Sequence, residues 1–259
     1  MKPAPFTYRR AESTDEALAL LAEHGDDAKL MSGGQSLVPL LNMRLAQPAV
    51  VVDIGRVAEL ADVTEAPDRI RYGAGVVHSW FEDGLVPDAA DGLLQAVAGG
   101  IGYRAIRNRG TLGGSLAHAD SSAEWPVVMA ALGAGVVVRS AERGERVVPA
   151  TEFVQGFFTN ALDDDEAVVA VDVPRLAPGS RWGFAKSARK PGEFAESLAV
   201  AIVAADGRAE VWLGAAASVP LRVDPDDLAA LPDGDAYERH LHGVTIARAL
   251  DQARQREAA

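Results

Sequence analysis

Two short glycine loops, Ser32-Gly33-Gly34-Gln35-Ser36 and Thr111-Leu112-Gly113-Gly114-Ser115, constrain this chain more than any other feature. Gly33 and Gly113 are 80 positions apart, and both loops stand in sequence that alternates between strand-like and helix-like runs. Glycine admits positive φ angles and close approach of other atoms, so such loops can turn several backbone N–H groups toward one phosphate. Hydroxyls at Ser32, Ser36, Thr111 and Ser115 add donors without bulk. Either loop taken alone reads more readily as an ordinary strand-to-helix turn; the pair, in its wider sequence, points to a diphosphate.

Leu18, Leu21 and Ala22 share one face of a helix expected over 14–23, with Ser13 and Glu16 in capping-box spacing and Gly25 as its stop. A strand over 28–31 leads into the first loop and a helix over 37–43 leaves it, with Pro39 in the first turn. The run Ala49 to Ile54 reads as a buried strand. Further strands are expected at 69–73, 135–138 and 167–173. Helices are expected around Leu93, Leu94 and Val97 and over 121–132, with 174–180 as a linker. Beyond it, Asp206-Gly207 between two apolar runs predicts a hairpin with a type I′ turn, and a final helix is expected from Thr245 onward. The pattern divides the chain near residue 176. A cofactor region with lobes of about 1–55 and 56–176 precedes a small sheet-plus-helix domain over 177–259.

At 259 residues the chain is long enough for two packed domains. No apolar run approaches the roughly 20 residues of a membrane helix, and Met1 to Phe6 lacks a secretory pattern, so a cytoplasmic location is expected. A net charge of −12 opposes a nucleic-acid or anionic-membrane partner. It does not oppose a diphosphate held by backbone amides. The chain has no cysteine, which excludes disulfides, a thiolate zinc site, a cysteinyl-linked flavin and any iron–sulfur cluster ligated within it.

The wider sequences Lys29-Leu30-Met31-Ser32-Gly33-Gly34-Gln35-Ser36-Leu37-Val38-Pro39-Leu40 and Ile106-Arg107-Asn108-Arg109-Gly110-Thr111-Leu112-Gly113-Gly114-Ser115-Leu116-Ala117-His118-Ala119-Asp120 resemble two flavin-binding signatures. These are the signatures of the medium, FAD-carrying subunits of molybdenum hydroxylases, a family that includes the carbon monoxide dehydrogenase medium subunit and the xanthine dehydrogenase FAD domain. The resemblance continues through Glu152 to Thr159 and Phe184 to Lys190, which are similar to the family's C-terminal flavoprotein domain. It implies an α+β fold: a two-lobed FAD-binding domain of the vanillyl-alcohol-oxidase (PCMH) type over 1–176, then the C-terminal domain over 177–259.

The resemblance also implies one FAD, bound without a covalent link. Ser32, Gly33, Gly34, Gln35 and Ser36 with Thr111, Gly113, Gly114 and Ser115 would form its pyrophosphate and ribityl loops. Leu30, Met31 and Leu37 would flank the first loop, and Ile101 and Gly110 would line the approach to the second. Glu124 stands where the family has an Asp at the nucleotide end; alternatively it completes a capping box with Ser121. Val168 would contact the flavin through its backbone. Lys186 would lie near the isoalloxazine, where an ammonium favours the anionic reduced form; alternatively it is a solvated lysine on a strand edge. No catalytic side chain is implied. The molybdenum cofactor and [2Fe-2S] clusters would sit on separate large and small subunits, in a heterotrimer or a dimer of heterotrimers. Electrons would pass through the flavin to NAD, a quinone or oxygen.

Other patterns carry less. Gly73-Ala74-Gly75-Val76-Val77-His78 lacks the third glycine of a dinucleotide fingerprint. Ser187-Ala188-Arg189-Lys190 matches Ser-x-x-Lys without its companion motifs. His118, Asp120 and Glu124 are assigned no metal. Tyr103, Arg104, Arg107 and Arg109 form a basic turn that is either solvated and acid-paired or serves a partner subunit or nicotinamide nucleotide. A stand-alone flavin oxidoreductase of the vanillyl-alcohol oxidase superfamily and a non-catalytic flavin-holding protein remain as alternatives.

Overall fold

The computed structural model describes residues 2–227, 231 and 234–256. A three-stranded parallel sheet comes first, with Val50–Asp53 between Thr7–Arg10 and Ala28–Met31. The central position explains the unbroken valine run, since Val50, Val51 and Val52 are all buried. Helix Thr14–His24 connects the outer strands. The Ser13 hydroxyl accepts from the Glu16 N–H at 3.1 Å, and the Glu16 carboxylate in turn accepts from the Glu12 N–H at 2.8 Å. The first glycine loop therefore leaves the C-terminal end of a parallel strand and enters helix Leu37–Asn42.

The second sheet orders Val63–Glu65, Arg69–Gly73, Glu166–Pro174, Gly135–Ser140 and Gly144–Pro149, all antiparallel to their neighbours. Its central strand shifts register between Val168 and Ala170, and the Val169 carbonyl turns to accept the Ala74 N–H at 2.9 Å. Helix Glu124–Ala131, whose residues from Glu124 to Ala130 are all buried, shares the apolar cluster of this sheet and packs most closely on the strands Ser197–Val203 and Ala209–Gly214. A helix apolar on every side belongs inside a core. It starts three residues later than the expected Ser121, because 120–123 form a turn in which Asp120 accepts the Ser122 N–H at 2.9 Å. Ala123 is the N-cap and makes no side-chain cap, so the Ser121–Glu124 capping box does not form.

The third sheet is an antiparallel meander of Arg181–Ser187, Ser197–Val203, Ala209–Gly214 and Leu221–Val223. The hairpin at Asp206-Gly207 is present with a different turn. Only Gly207 has positive φ (86°), and the Gly207 N–H donates to Ala204, which makes a three-residue loop with glycine in the left-handed position. Helix Ala236–Gln255 crosses this sheet and begins nine residues before the expected Thr245. The missed signal was Asp235-x-x-Glu238, whose side chains cap each other's backbone N–H groups at 2.8 and 3.0 Å. Residues 257–259, into which that helix was expected to run, lie outside the described residues.

Small side chains, including Ala185, Ala199, Ala201, Ala249 and Ala253, let this helix touch the sheet almost backbone to backbone. A β-carbon on Gly183 would overlap the carbonyl oxygen of Ala249. Gly183→Ala is expected to destabilise the protein by about 1–3 kcal/mol, the range for overpacking a tight core. Thermal unfolding measures it; an unchanged Tm would contradict the packing described.

Candidate functional site

The two glycine loops, distant in sequence, meet in space. Ser32 Oγ lies 3.1 Å from Thr111 Oγ1, and Arg109 Nε donates to the Gly33 carbonyl at 3.3 Å. Most of their glycines are required by contact between chain segments. A β-carbon on Gly33 would overlap the Arg109 carbonyl, one on Gly113 would overlap Ala74, and one on Gly110 would lie 2.8 Å from His78 Nε2. Gly34 alone among them has positive φ, 71°.

The loops are not equivalent. In the second, the N–H groups of Leu112, Gly113, Gly114 and Ser115 donate to Val76 O, Ala74 O, Thr111 Oγ1 and Thr111 O. That loop is an anchored platform offering the half-buried Ser115 hydroxyl. In the first, the four successive N–H groups of Gly33, Gly34, Gln35 and Ser36 donate to no acceptor among the described residues. Gln35 braces the turn by donating from Nε2 to the Gly33 carbonyl at 3.0 Å. Leu30, Met31 and Leu37 are half-buried around it, with Met31 beneath Gly34. Backbone amides without protein acceptors, beside free hydroxyls, are the donor set a diphosphate requires. The first loop fits the cofactor that the sequence implied.

Glu124 and Lys186 were expected at separate ends of a ligand, and the structure joins them. Lys186 Nζ donates to Glu124 Oε1 at 2.6 Å and to the Gly100 carbonyl at 3.3 Å. The side chains are 12% and 5% exposed, so this is a buried ion pair linking the strand Arg181–Ser187 to the start of helix Glu124–Ala131. Burial pushes the Glu124 carboxyl up, and the adjacent Lys186 offsets part of that. Lys186 also walls a cavity of about 570 Å³ with Gly100, Gly102, Tyr103, Arg107, Arg189 and Lys190. Ile101 lies in the same turn, held by Arg107, whose Nη1 donates to the Ile101 and Gly102 carbonyls at 3.1 and 3.0 Å. Val168 sits at the register shift of its strand, a place where bulges commonly redirect backbone groups.

The remaining motifs resolve into packing. Gly73 and Gly75 both press on the Leu60 carbonyl. Ser187 Oγ faces Thr245 Oγ1 at 3.2 Å. The His118 ring packs on Phe158 with centroids 5.1 Å apart, while Asp120 and Glu124 turn to other partners. Arg104 pairs with Asp83 and Glu82, and Arg107 forks onto Glu82. The sequence reading missed the contact of His78 with Trp125 behind the second loop, because nothing in linear spacing connects them.

Removing one partner of a buried ion pair leaves the other charge stranded, at about 3–5 kcal/mol, whereas replacing both with apolar groups is often neutral. Glu124→Leu and Lys186→Met should each lower the unfolding free energy by that amount, and the double variant should recover most of it. Additive losses in a denaturant-unfolding cycle would contradict the pairing.

Comparison with known proteins bears on the same residues. The family described as FAD binding domain in molybdopterin dehydrogenase matches residues 4–176. The 6-hydroxypseudooxynicotine dehydrogenase complex subunit alpha of Paenarthrobacter nicotinovorans is 43% identical over 206 residues, 80% of this chain and 69% of that relative. Caffeine dehydrogenase subunit beta of Pseudomonas sp. (strain CBB1) is 38% identical over 226 residues, 86% and 77% of the two chains. A solved structure of carbon monoxide dehydrogenase from Hydrogenophaga pseudoflava superposes with a TM-score of 0.93 at 30% identity, covering 100% of both chains. The amide-lined loop lies within the matched residues, and the chain belongs to the FAD-binding domain family of molybdopterin dehydrogenases, with an α+β fold.

Proposed function

We propose that this chain is the electron-transferring flavin subunit of a multi-subunit molybdenum hydroxylase. The observation that carries the reading is the run of four acceptor-free amides at 33–36, locked against the second loop. Bound there, FAD would supply the ability to exchange electrons singly with a metal centre and in pairs with an organic acceptor. The chain's own residues then have holding and orienting tasks. Ser32, Gly33, Gly34, Gln35 and Ser36 receive the diphosphate, with Thr111 and Ser115 opposite. Gly33 permits the close approach of the two loops, while Gly110 and Gly113 seat the second loop against His78 and Ala74 and Gly114 leaves room for the Thr111 hydroxyl. Leu30, Met31 and Leu37 shield the first loop, Ile101 lines the approach to the second, and Val168 meets the flavin through its backbone. Lys186 stands near the ring tied to Glu124, whose pairing argues against the nucleotide-end role the sequence suggested.

The absence of cysteine means that iron–sulfur clusters feeding the flavin must be carried by another subunit. Relatives named as a complex subunit and as a medium chain support the same division. The assembly is a heterotrimer, or its dimer, with a molybdenum-bearing large subunit and an iron–sulfur small subunit. It works in the cytoplasm and delivers electrons to NAD, a quinone or oxygen. We also divide the chain at 176, because the third sheet, helix Ala236–Gln255 and their apolar cluster draw only on residues after it.

Two measurements test this. The purified chain, reconstituted, should hold about one FAD, read from its visible absorbance; a colourless protein overturns the flavin reading. Co-produced with its large and small subunits, the bound flavin should bleach anaerobically when the complex receives its organic substrate. A flavin that stays oxidised while the iron–sulfur centres reduce overturns electron transfer. Turnover of an organic substrate by the isolated chain would favour the stand-alone flavoenzyme.

A further inference from the structure

His78 opens helix His78–Glu82 and is 4% exposed. Two hydrogen bonds hold it. Its backbone N–H donates to the Gly110 carbonyl at 2.9 Å, and Trp125 Nε1 donates to His78 Nδ1 at 3.0 Å. An indole N–H can only donate, so Nδ1 is the bare nitrogen and the ring proton resides on Nε2. Burial, with the Arg107 charge adding to it, pushes the imidazole down to about 3, and the ring is neutral at ordinary pH. Its Nε2–H is therefore a donor fixed in position and protonation.

That donor has no acceptor among the described residues. It is not sealed in the core either: among the described residues every fully buried side-chain nitrogen or oxygen has a partner, so Nε2, which has none there, keeps some opening to the outside. Its location is specific. It lies 2.8 Å from the place a β-carbon on Gly110 would take, at the entrance to the second glycine loop. Gly110 contacts Gly33 as well, so the imidazole stands one residue away from the junction of both loops. A ring otherwise buried, whose one unused donor opens beside the junction of two ligand-type loops, is placed to hand that donor from water to a ligand oxygen.

We infer that His78 Nε2–H donates to an oxygen of the ribityl–diphosphate portion of FAD at the second glycine loop. The inference rests on the flavin reading above. Trp125 acts through His78 as a positioning residue, because its indole selects the tautomer that can donate. Gly110 is required because any side chain there would strike Nε2. The stretch Gly73 to His78, which fails as a dinucleotide fingerprint, thus contributes through its last residue.

The test uses the 15N-labelled full chain and follows the His78 Hε2 resonance, identified by its loss in His78→Gln, as FAD is added. A downfield shift is expected at saturation. Adenosine diphosphate as a second probe places the acceptor: a shift with it assigns a diphosphate oxygen, and a shift with FAD only assigns the ribityl chain. FAD affinity is measured in a Trp125→Phe background, so that no indole is orphaned. Adding His78→Phe there should weaken FAD binding about tenfold, whereas adding His78→Gln, which retains a donor, should change it less than about threefold. A resonance unmoved while the visible spectrum shows bound FAD, or equal affinity of His78→Phe and its parent, overturns the inference and leaves the flavin reading standing. Failure of the wild-type chain to bind FAD overturns both.

Discussion

A contact too close for any side chain joins residue 33 to residues 109 and 110, and the geometry around the two loops follows from it. With a β-carbon at Gly33 the first loop would be pushed off the second, separating Ser32 from Thr111. The parallel sheet presents one loop, and the five-stranded antiparallel sheet, with helix Leu112–His118 laid on its central strand, carries the other. Neither lobe makes a site by itself. The site exists because glycine allows two backbones to approach where ordinary residues would keep them apart.

Charge follows the same economy of contact. The chain is strongly acidic, yet basic groups gather around the cavity near Lys186. Most of them are already neutralised: Arg104 and Arg107 by Asp83 and Glu82, Lys186 by Glu124, and Arg189 more loosely by Glu193. Lys186 therefore enters the site as part of a pair. Any influence on a neighbouring ring is that of a partly balanced dipole, weaker than the bare ammonium the sequence suggested.

Much of the fold was readable in advance, for physical reasons. The strands Ala28–Met31 and Arg69–Gly73 fall where short runs with alternating or partly apolar pattern end in glycine or turn residues, and Ser13 marks the start of the first helix. The errors lie where local patterns compete. Asp206-Gly207 signals a hairpin, but a single positive φ changes the turn type. The last helix was started too late because Asp235 and Glu238 precede a polar first turn with no apolar stripe to flag it. Both glycine loops were visible, but their difference was not: which amides are free depends on Ala74 and Val76, residues brought alongside only by folding. The Glu124–Lys186 pair, 62 positions apart, was likewise visible as two residues and never as one unit.

Helix Glu124–Ala131 begins with two neighbours that face different tasks. Glu124 reaches the third sheet through Lys186, and Trp125 reaches the second loop through His78. Consecutive helical residues are set about 100° apart around the axis, since an α-helix has 3.6 residues per turn. Inserting one residue into the turn 120–123 would rotate both side chains away from their partners together. The length of that turn is thus an alignment gauge, fixing at once how the carboxyl-terminal sheet is clamped and which nitrogen of a distant imidazole bears its proton.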